Sequence, residues 1–201
     1  MGRRSKAEVR RQEILSHFYE VIIDEGFEGA SIAKIAKRMD VNPSLLIHYF
    51  STKDAMVLGL IEYIVNTYAS HLLPDFSEVE DPAERWDDFL DVVSRIQWDL
   101  IINNTVFYSA YTLSLRNPEI RKQFIELYRE MVGKIEREID HAAKAGIIEG
   151  IQPREGAELI MMLIEGANFY QNVKADVIDY EAKRNLFKRT IQRMFNSQPV
   201  R

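Results

Sequence analysis

Between residues 31 and 53 the sequence SIAKIAKRMDVNPSLLIHYFSTK leaves few folds open, because it encodes two short amphipathic helices, a tight turn and the start of a third helix. Ile32, Ile35, Ala36 and Met39 recur at i, i+3, i+4 and i+7, so one face of the first helix is apolar and needs burial. Asn42 can cap the second helix, with Pro43 at its first position, where the missing N–H costs nothing. Leu46 and Phe50 repeat at i and i+4 and point back into the same small core. Lys34, Lys37, Arg38, Ser44, His48 and Tyr49 are left facing outward. The pattern predicts a helix-turn-helix with a polar face suited to a DNA major groove.

The net charge of −5 would oppose nucleic-acid binding if it were spread evenly, but it is not. Residues 1–53 hold nine Lys/Arg against seven Asp/Glu, a balance of +2, and the remainder of the chain carries −7. Local potential rather than total charge governs encounter with phosphate. A basic arm, Arg3, Arg4, Lys6, Arg10 and Arg11, precedes the first apolar stripe and is expected to touch the DNA backbone or minor groove. Lys37 and Arg38 fit a phosphate contact or a solvated face equally well.

Catalysis is not expected. The chain has no cysteine, which excludes disulfides, thiolate nucleophiles and cysteine-held metals. His17, His48, His71 and His141 form no HxxxH or HExxH pair, and GxSxG, GxGxxG and Walker sequences are missing. No catalytic residue, metal ligand or cofactor is therefore predicted. The chain has no run of 18 apolar residues, and MGRRSKAEVRRQEIL lacks the apolar core of a signal peptide. A cytoplasmic protein without a membrane partner is expected.

Almost every segment has helical periodicity, and paired strand alternation is missing, so the predicted fold class is all-α. Helices are expected over 7–25, from about 52 into the low seventies, and over 83–102, 105–116, 118–145, 154–173 and 178–196. The acidic, proline-bounded stretch PDFSEVEDP at 74–82 marks a connector. Polar-tipped aromatics concentrate beyond it: Trp98, Phe107, Tyr108, Tyr111, Tyr128, Phe169 and Tyr170, with Met131, Met161 and Met162. They can line a cavity for a small, largely apolar ligand or form an ordinary packed core. Asn103, Asn104, Glu165, Asn168 and Gln171 are the candidate polar groups. No Arg or Lys lies between Asn103 and Leu115, which favours a neutral or cationic ligand, a cation meeting Glu165.

Gly26-Phe27, Ser31, Ile35-Ala36, Val41, Leu46, His48-Tyr49-Phe50 and Lys53-Asp54 together resemble the N-terminal domain of the TetR family of bacterial transcriptional regulators. Leu115–Arg121 (LRNPEIR) and Ile164-Glu165-Gly166 are similar to features of that family's ligand domains. The resemblance implies a DNA-binding domain over 1–53 and a ligand-binding and dimerisation domain over 54–201. It implies that His48 and Tyr49 meet DNA, with Tyr49 donating to a phosphate. Lys53 takes another phosphate at a helix N-terminus. Ser31 and Lys34 become backbone contacts, and Asn42 and Ser44 contact base edges or phosphates. It further implies a ligand site among Trp98, Phe107, Tyr108, Tyr111, Tyr128, Met131, Glu165, Asn168 and Phe169. A homodimer would form through 154–173 and 178–196, with Ile160, Leu163, Ile164, Ala167, Phe187, Ile191 and Phe195 supplying apolar surface. Such a dimer suits a palindromic double-stranded operator. The implied function is a repressor released by a small apolar or aromatic effector; the alternative is a DNA-bound adaptor that recruits a protein.

The chain departs from the family pattern in the second helix. Many relatives have a small residue, Thr and Tyr where Ser44, Leu45 and Ile47 stand here. Leu45 can meet a thymine methyl, Ile47 is expected to pack rather than read bases, and no Arg is present for a bidentate guanine contact. Phosphate positioning and DNA shape are therefore expected to carry much of the affinity.

Overall fold

The computed structural model describes residues 5–71, 73–95, 103–173 and 179–196. Among them lie nine helices and no strand: α1 (Lys6–Gly29), α2 (Ile32–Arg38), α3 (Pro43–Tyr49), α4 (Lys53–His71), α5 (Pro82–Val93), α6 (Asn104–Ser114), α7 (Pro118–Lys144), α8 (Pro153–Val173) and α9 (Tyr180–Asn196). The all-α expectation holds.

Helix limits follow local chemistry. Ser5 and Glu8 form a capping box that starts α1 at Lys6, so the segment ahead of the helix ends at Ser5. Regular helix breaks at Gly26, whose φ of 74° favours glycine, and a further turn continues to Gly29. Asp81 caps α5, and its carboxylate accepts from the backbone N–H groups of Ala83 and Glu84. The helix expected over 83–102 ends at Val93 instead. Ser94 closes it: its hydroxyl donates to Asp91 O at 3.2 Å, the acceptor of the next helical bond, and Arg95 N–H turns instead to Val92 O at 3.1 Å. Gly146, φ 73°, ends α7 in a Schellman turn: Ile147 N–H bonds Ala142 O while Gly146 N–H bonds Ala143 O.

The chain divides into two compact units, one of residues 1–68 and 102–126, the other of 69–101 and 127–201. The first therefore extends past residue 53 and takes in α6. In it α1 packs against α2 and α6, and α2 against α3. Ile14, Leu15, Phe18, Val21 and Ile22 of α1 are buried with Ile35, Leu46, Phe50, Leu60 and Ile61. The Tyr19 hydroxyl accepts the Asn103 N–H at 2.9 Å, which ties the start of α6 to α1.

In the second unit α5 is held to α9 by Trp86, whose ring meets Phe195 edge to face at 5.5 Å, and by Lys188, which donates to Asp91 at 2.7 Å. That bond is the main reason the Asp91 pKa falls below the usual carboxylate value. Helix α8 approaches α9 and α7 closely at Gly156, where a Cβ would lie 2.9 Å from the Phe195 ring and 3.2 Å from Ile139. Among the described residues no helix is long and apolar enough to cross a membrane.

Candidate functional site

The helix-turn-helix is assembled from short-range bonds. Ser31 caps α2, its hydroxyl accepting from Lys34 N–H at 3.3 Å, and Ile35 and Ala36 are buried beneath it. Helix α2 closes in a Schellman turn: Val41 N–H bonds Ala36 O and Asp40 N–H bonds Lys37 O. Asp40 takes the left-handed position there with φ 53°, a conformation Asp tolerates better than most side chains. Asn42 caps α3 by accepting from Ser44 N–H at 2.9 Å. Leu46 and Phe50 are buried as expected. The Phe50 ring leaves no room beside Gly59 of α4, whose Cβ would lie 3.0 Å from it, and Arg11 stacks its guanidinium 4.4 Å from the ring centroid.

With Leu46 and Phe50 inside, α3 presents Asn42, Ser44, Ile47 and His48 to solvent, and Leu45 and Tyr49 are partly exposed. His48 and Tyr49 meet edge to face at 5.4 Å. Ile47, expected to pack, is 53% exposed. It stands one turn from Ser44 and beside His48, so this face has an apolar centre that helical spacing alone did not reveal. Lys53 opens α4, and its side chain lies outside the described residues.

Lys34 and Arg38 of α2 and Arg10 of α1 have internal counter-ions. Lys34 Nζ bonds the Glu25 carboxylate and, at 3.0 Å, Gly29 O. Arg38 donates from Nε to Glu20 at 2.8 Å and from Nη1 to Asp24 at 2.6 Å, which raises its pKa further. Arg10 pairs with Glu13 at 2.7 Å. Lys6 and Lys37 make no ion pair among the described residues. Arg10–Glu13 is an i,i+3 pair within α1, whereas the pairs of Lys34 and Arg38 cross from α2 to α1 and are invisible in spacing.

The expected ligand residues fall into both units, each contacting its own neighbours. In the first, Phe107, Tyr108 and Tyr111 lie on α6; the Phe107 and Tyr111 rings sit 5.8 and 6.0 Å from Phe124. In the second, Met131 and Asn168 are buried. Tyr128 donates its hydroxyl to the partly buried Glu165 carboxylate, whose pKa is raised by desolvation and partly restored by that bond. Phe169, by contrast, is 62% exposed. Trp98 lies outside the described residues.

Helix α8 is apolar on two opposite faces. Gly156, Ala157, Ile160, Met161, Ile164, Asn168 and Gln171 face the unit's core, while Leu159, Met162, Phe169, Tyr170 and Val173 form an exposed stripe. The surplus apolar surface expected from Ile160, Ile164, Phe187, Ile191 and Phe195 is in fact core, because those side chains are buried within one chain. The face left over is the other one. It includes Gly166 and, with Leu186 of α9, borders a strongly apolar groove of about 440 Å³.

Two family models match the chain: residues 14–60 fit "Bacterial regulatory proteins, tetR family" and residues 83–197 fit "Tetracyclin repressor-like, C-terminal domain". The transcriptional regulator BetI of Rhizobium meliloti is 22% identical over 181 residues, covering 87% of this chain and 83% of BetI. The nucleoid occlusion factor SlmA of Vibrio cholerae is 30% identical over 128 residues, 61% of this chain and 62% of SlmA. A crystal structure of a transcriptional regulator from Saccharomonospora viridis in complex with choline superposes with a TM-score of 0.81 at 18% identity, covering 94% of this chain and 99% of that one. The helix-turn-helix at one end and the long helices at the other thus lead to one conclusion: the chain belongs to the TetR family of DNA-binding transcriptional regulators.

Proposed function

We propose that the chain is a dimeric repressor that is released from a palindromic operator by a small effector. The observation carrying this reading is α6: it bears Phe107, Tyr108 and Tyr111 and packs on α1, with Tyr19 holding its first turn. A ligand that shifts α6 therefore acts on a helix packed against α1, which packs on α2, and α2 on α3. A coupling of about 1–3 kcal/mol is enough for roughly 5–150-fold weaker operator binding.

On DNA, Tyr49, Lys53, Ser31 and Asn42 position the phosphates, while Ser44, Leu45, Ile47 and His48 face the bases. Lys34 joins the phosphate contacts only by exchanging Glu25 for phosphate. Lys53→Ala is expected to weaken operator and non-operator binding alike and to flatten the log–log salt slope by about one. Ile47→Ala and Leu45→Ala should instead relax preference at single thymines, because a methyl–methyl contact is lost. Titrations over a range of salt, with selection from randomised DNA, check both. An unchanged slope for Lys53→Ala, or one consensus for all proteins, removes the corresponding assignment.

The effector is a neutral or cationic molecule with an apolar or aromatic body. Glu165 supports a cation, since its desolvated carboxylate gains most from a positive partner. The choline bound to the Saccharomonospora viridis regulator has the same character. Because a cation needs the ionised carboxylate, its affinity should fall as pH drops through the raised Glu165 pKa. Thermal shifts paired with DNA-release assays across neutral, cationic and phosphorylated compounds test this. Release by phosphorylated metabolites alone contradicts it. The similarity to a nucleoid occlusion factor favours the adaptor reading, which predicts that no compound releases DNA.

A further inference from the structure

A cavity of about 450 Å³ lies in the second unit between the segment Leu73–Ser77 and helices α5 and α7. Its floor is apolar: Leu73, Phe76 and Phe89 are buried, and the two rings meet edge to face at 6.1 Å. Its wall is ionic. Arg85 donates to Glu138 from Nε at 2.7 Å and from Nη2 at 2.9 Å, and both side chains are largely buried. That fork fixes the guanidinium plane and uses two of its five N–H donors, while Nη1 makes no hydrogen bond among the described residues.

Two further cations line the cavity. Arg137 is exposed and makes no ion pair among the described residues. Lys134 Nζ lies 3.5 Å from Leu73 O and 3.4 Å from the Glu130 carboxylate. Of the two acids lining it, Glu138 is committed to Arg85, and Asp75 accepts from Ser77 N–H at 2.9 Å. Glu130, outside the lining, balances Lys134, and Asp75 lies in the field of both Arg85 and Arg137; among the described residues Arg137 is the cation of the lining that makes no direct ion pair.

We propose that this cavity is a second ligand site, distinct from the effector site, and that it takes a monoanion, a carboxylate on a compact aromatic or branched aliphatic body. A planar carboxylate matches the guanidinium edges of Arg85 and Arg137, and the body lies against Phe76 and Phe89. The volume is that of a small-molecule site. Asp75 and Glu138 repel a second negative charge, which excludes a polyanion, and the guanidinium groups of Arg85 and Arg137, both in the field of Asp75, repel a cation.

The test is calorimetric titration of the full chain with phenylacetate and isovalerate, with phenylacetamide and phenethylamine as neutral and cationic counterparts. The acids should bind, the amide about tenfold more weakly, and the amine not at all. Arg137→Gln should weaken the acids about tenfold. Arg85→Met/Glu138→Leu removes both buried partners together, so it should keep the helical circular-dichroism signal and lose acid binding. If that double variant does not fold, Arg137→Gln decides the matter. Acids that fail to bind, an amide or amine that binds as tightly, or an unaffected Arg137→Gln overturns the proposal. Loss of acid binding in Glu165→Gln also overturns it, by placing the acid in the effector site; retention supports it.

Discussion

Replacing Gly166 by glutamate is expected to give a folded monomer that has lost most of its operator affinity. Nothing lies within 4 Å of the position its Cβ would occupy, so one chain has room for the new side chain. Glutamate also favours helix over glycine by roughly 0.5–1 kcal/mol, which protects α8 itself. The cost arises only if a second copy covers the stripe of Leu159, Met162, Phe169, Tyr170 and Val173. Two equivalent carboxylates would then be buried near the twofold axis, at about 3–5 kcal/mol for each uncompensated charge. With one half-site per molecule the gain from linked binding disappears, and operator affinity should drop about a hundredfold or more. Sedimentation and DNA titration of the same sample check it. A Gly166→Glu protein that remains dimeric places the interface elsewhere.

Two residues away the same chemistry should have the opposite outcome. Ile164 is 1% exposed and lies on the core face of α8 with Ala157, Ile160 and Met161. Ile164→Asp removes a buried branched side chain and leaves an unpaired carboxylate, a loss of about 4 kcal/mol or more. Against a total stability of about 5–15 kcal/mol, that is enough to unfold a marginal domain. A urea melt should show the transition displaced to low denaturant or lost, with aggregation rather than clean monomers. If Ile164→Asp melts like the parent and is merely monomeric, the two faces of α8 have been exchanged.

That contrast shows where the sequence was legible. The helix-turn-helix could be read because Ser31, Asn42 and Pro43 act within three residues of themselves, and because Leu46 and Phe50 have one apolar face to satisfy. Helix α8 has two apolar faces, and periodicity cannot say which one a chain keeps for its own core. Ile47 is hidden for a related reason: its apolarity suggests packing, but Leu46 and Phe50 already fill the space beneath α3. The end of α5 at Val93 was hidden because apolar residues continue past Ser94, and local bonds stop the helix there. The pairs Lys34–Glu25, Arg38–Glu20 and Arg85–Glu138 join residues 9, 18 and 53 positions apart, beyond any helical register. Glu165 stands out in the sequence as a charge on an apolar helix, but its bond to Tyr128 depends on the packing of α7 on α8.

The internal counter-ions of α1 and α2 bear on how such a protein finds its target among bulk DNA. Attraction to arbitrary sequence comes almost entirely from cations that displace condensed counter-ions. Lys34, Arg38 and Arg10 already hold carboxylates, so they displace fewer than their number suggests. Random chromosomal sites compete for each molecule by their number as well as their strength. A weaker grip on them leaves more of the protein free to search, and a small cellular pool then suffices to keep a few operators filled.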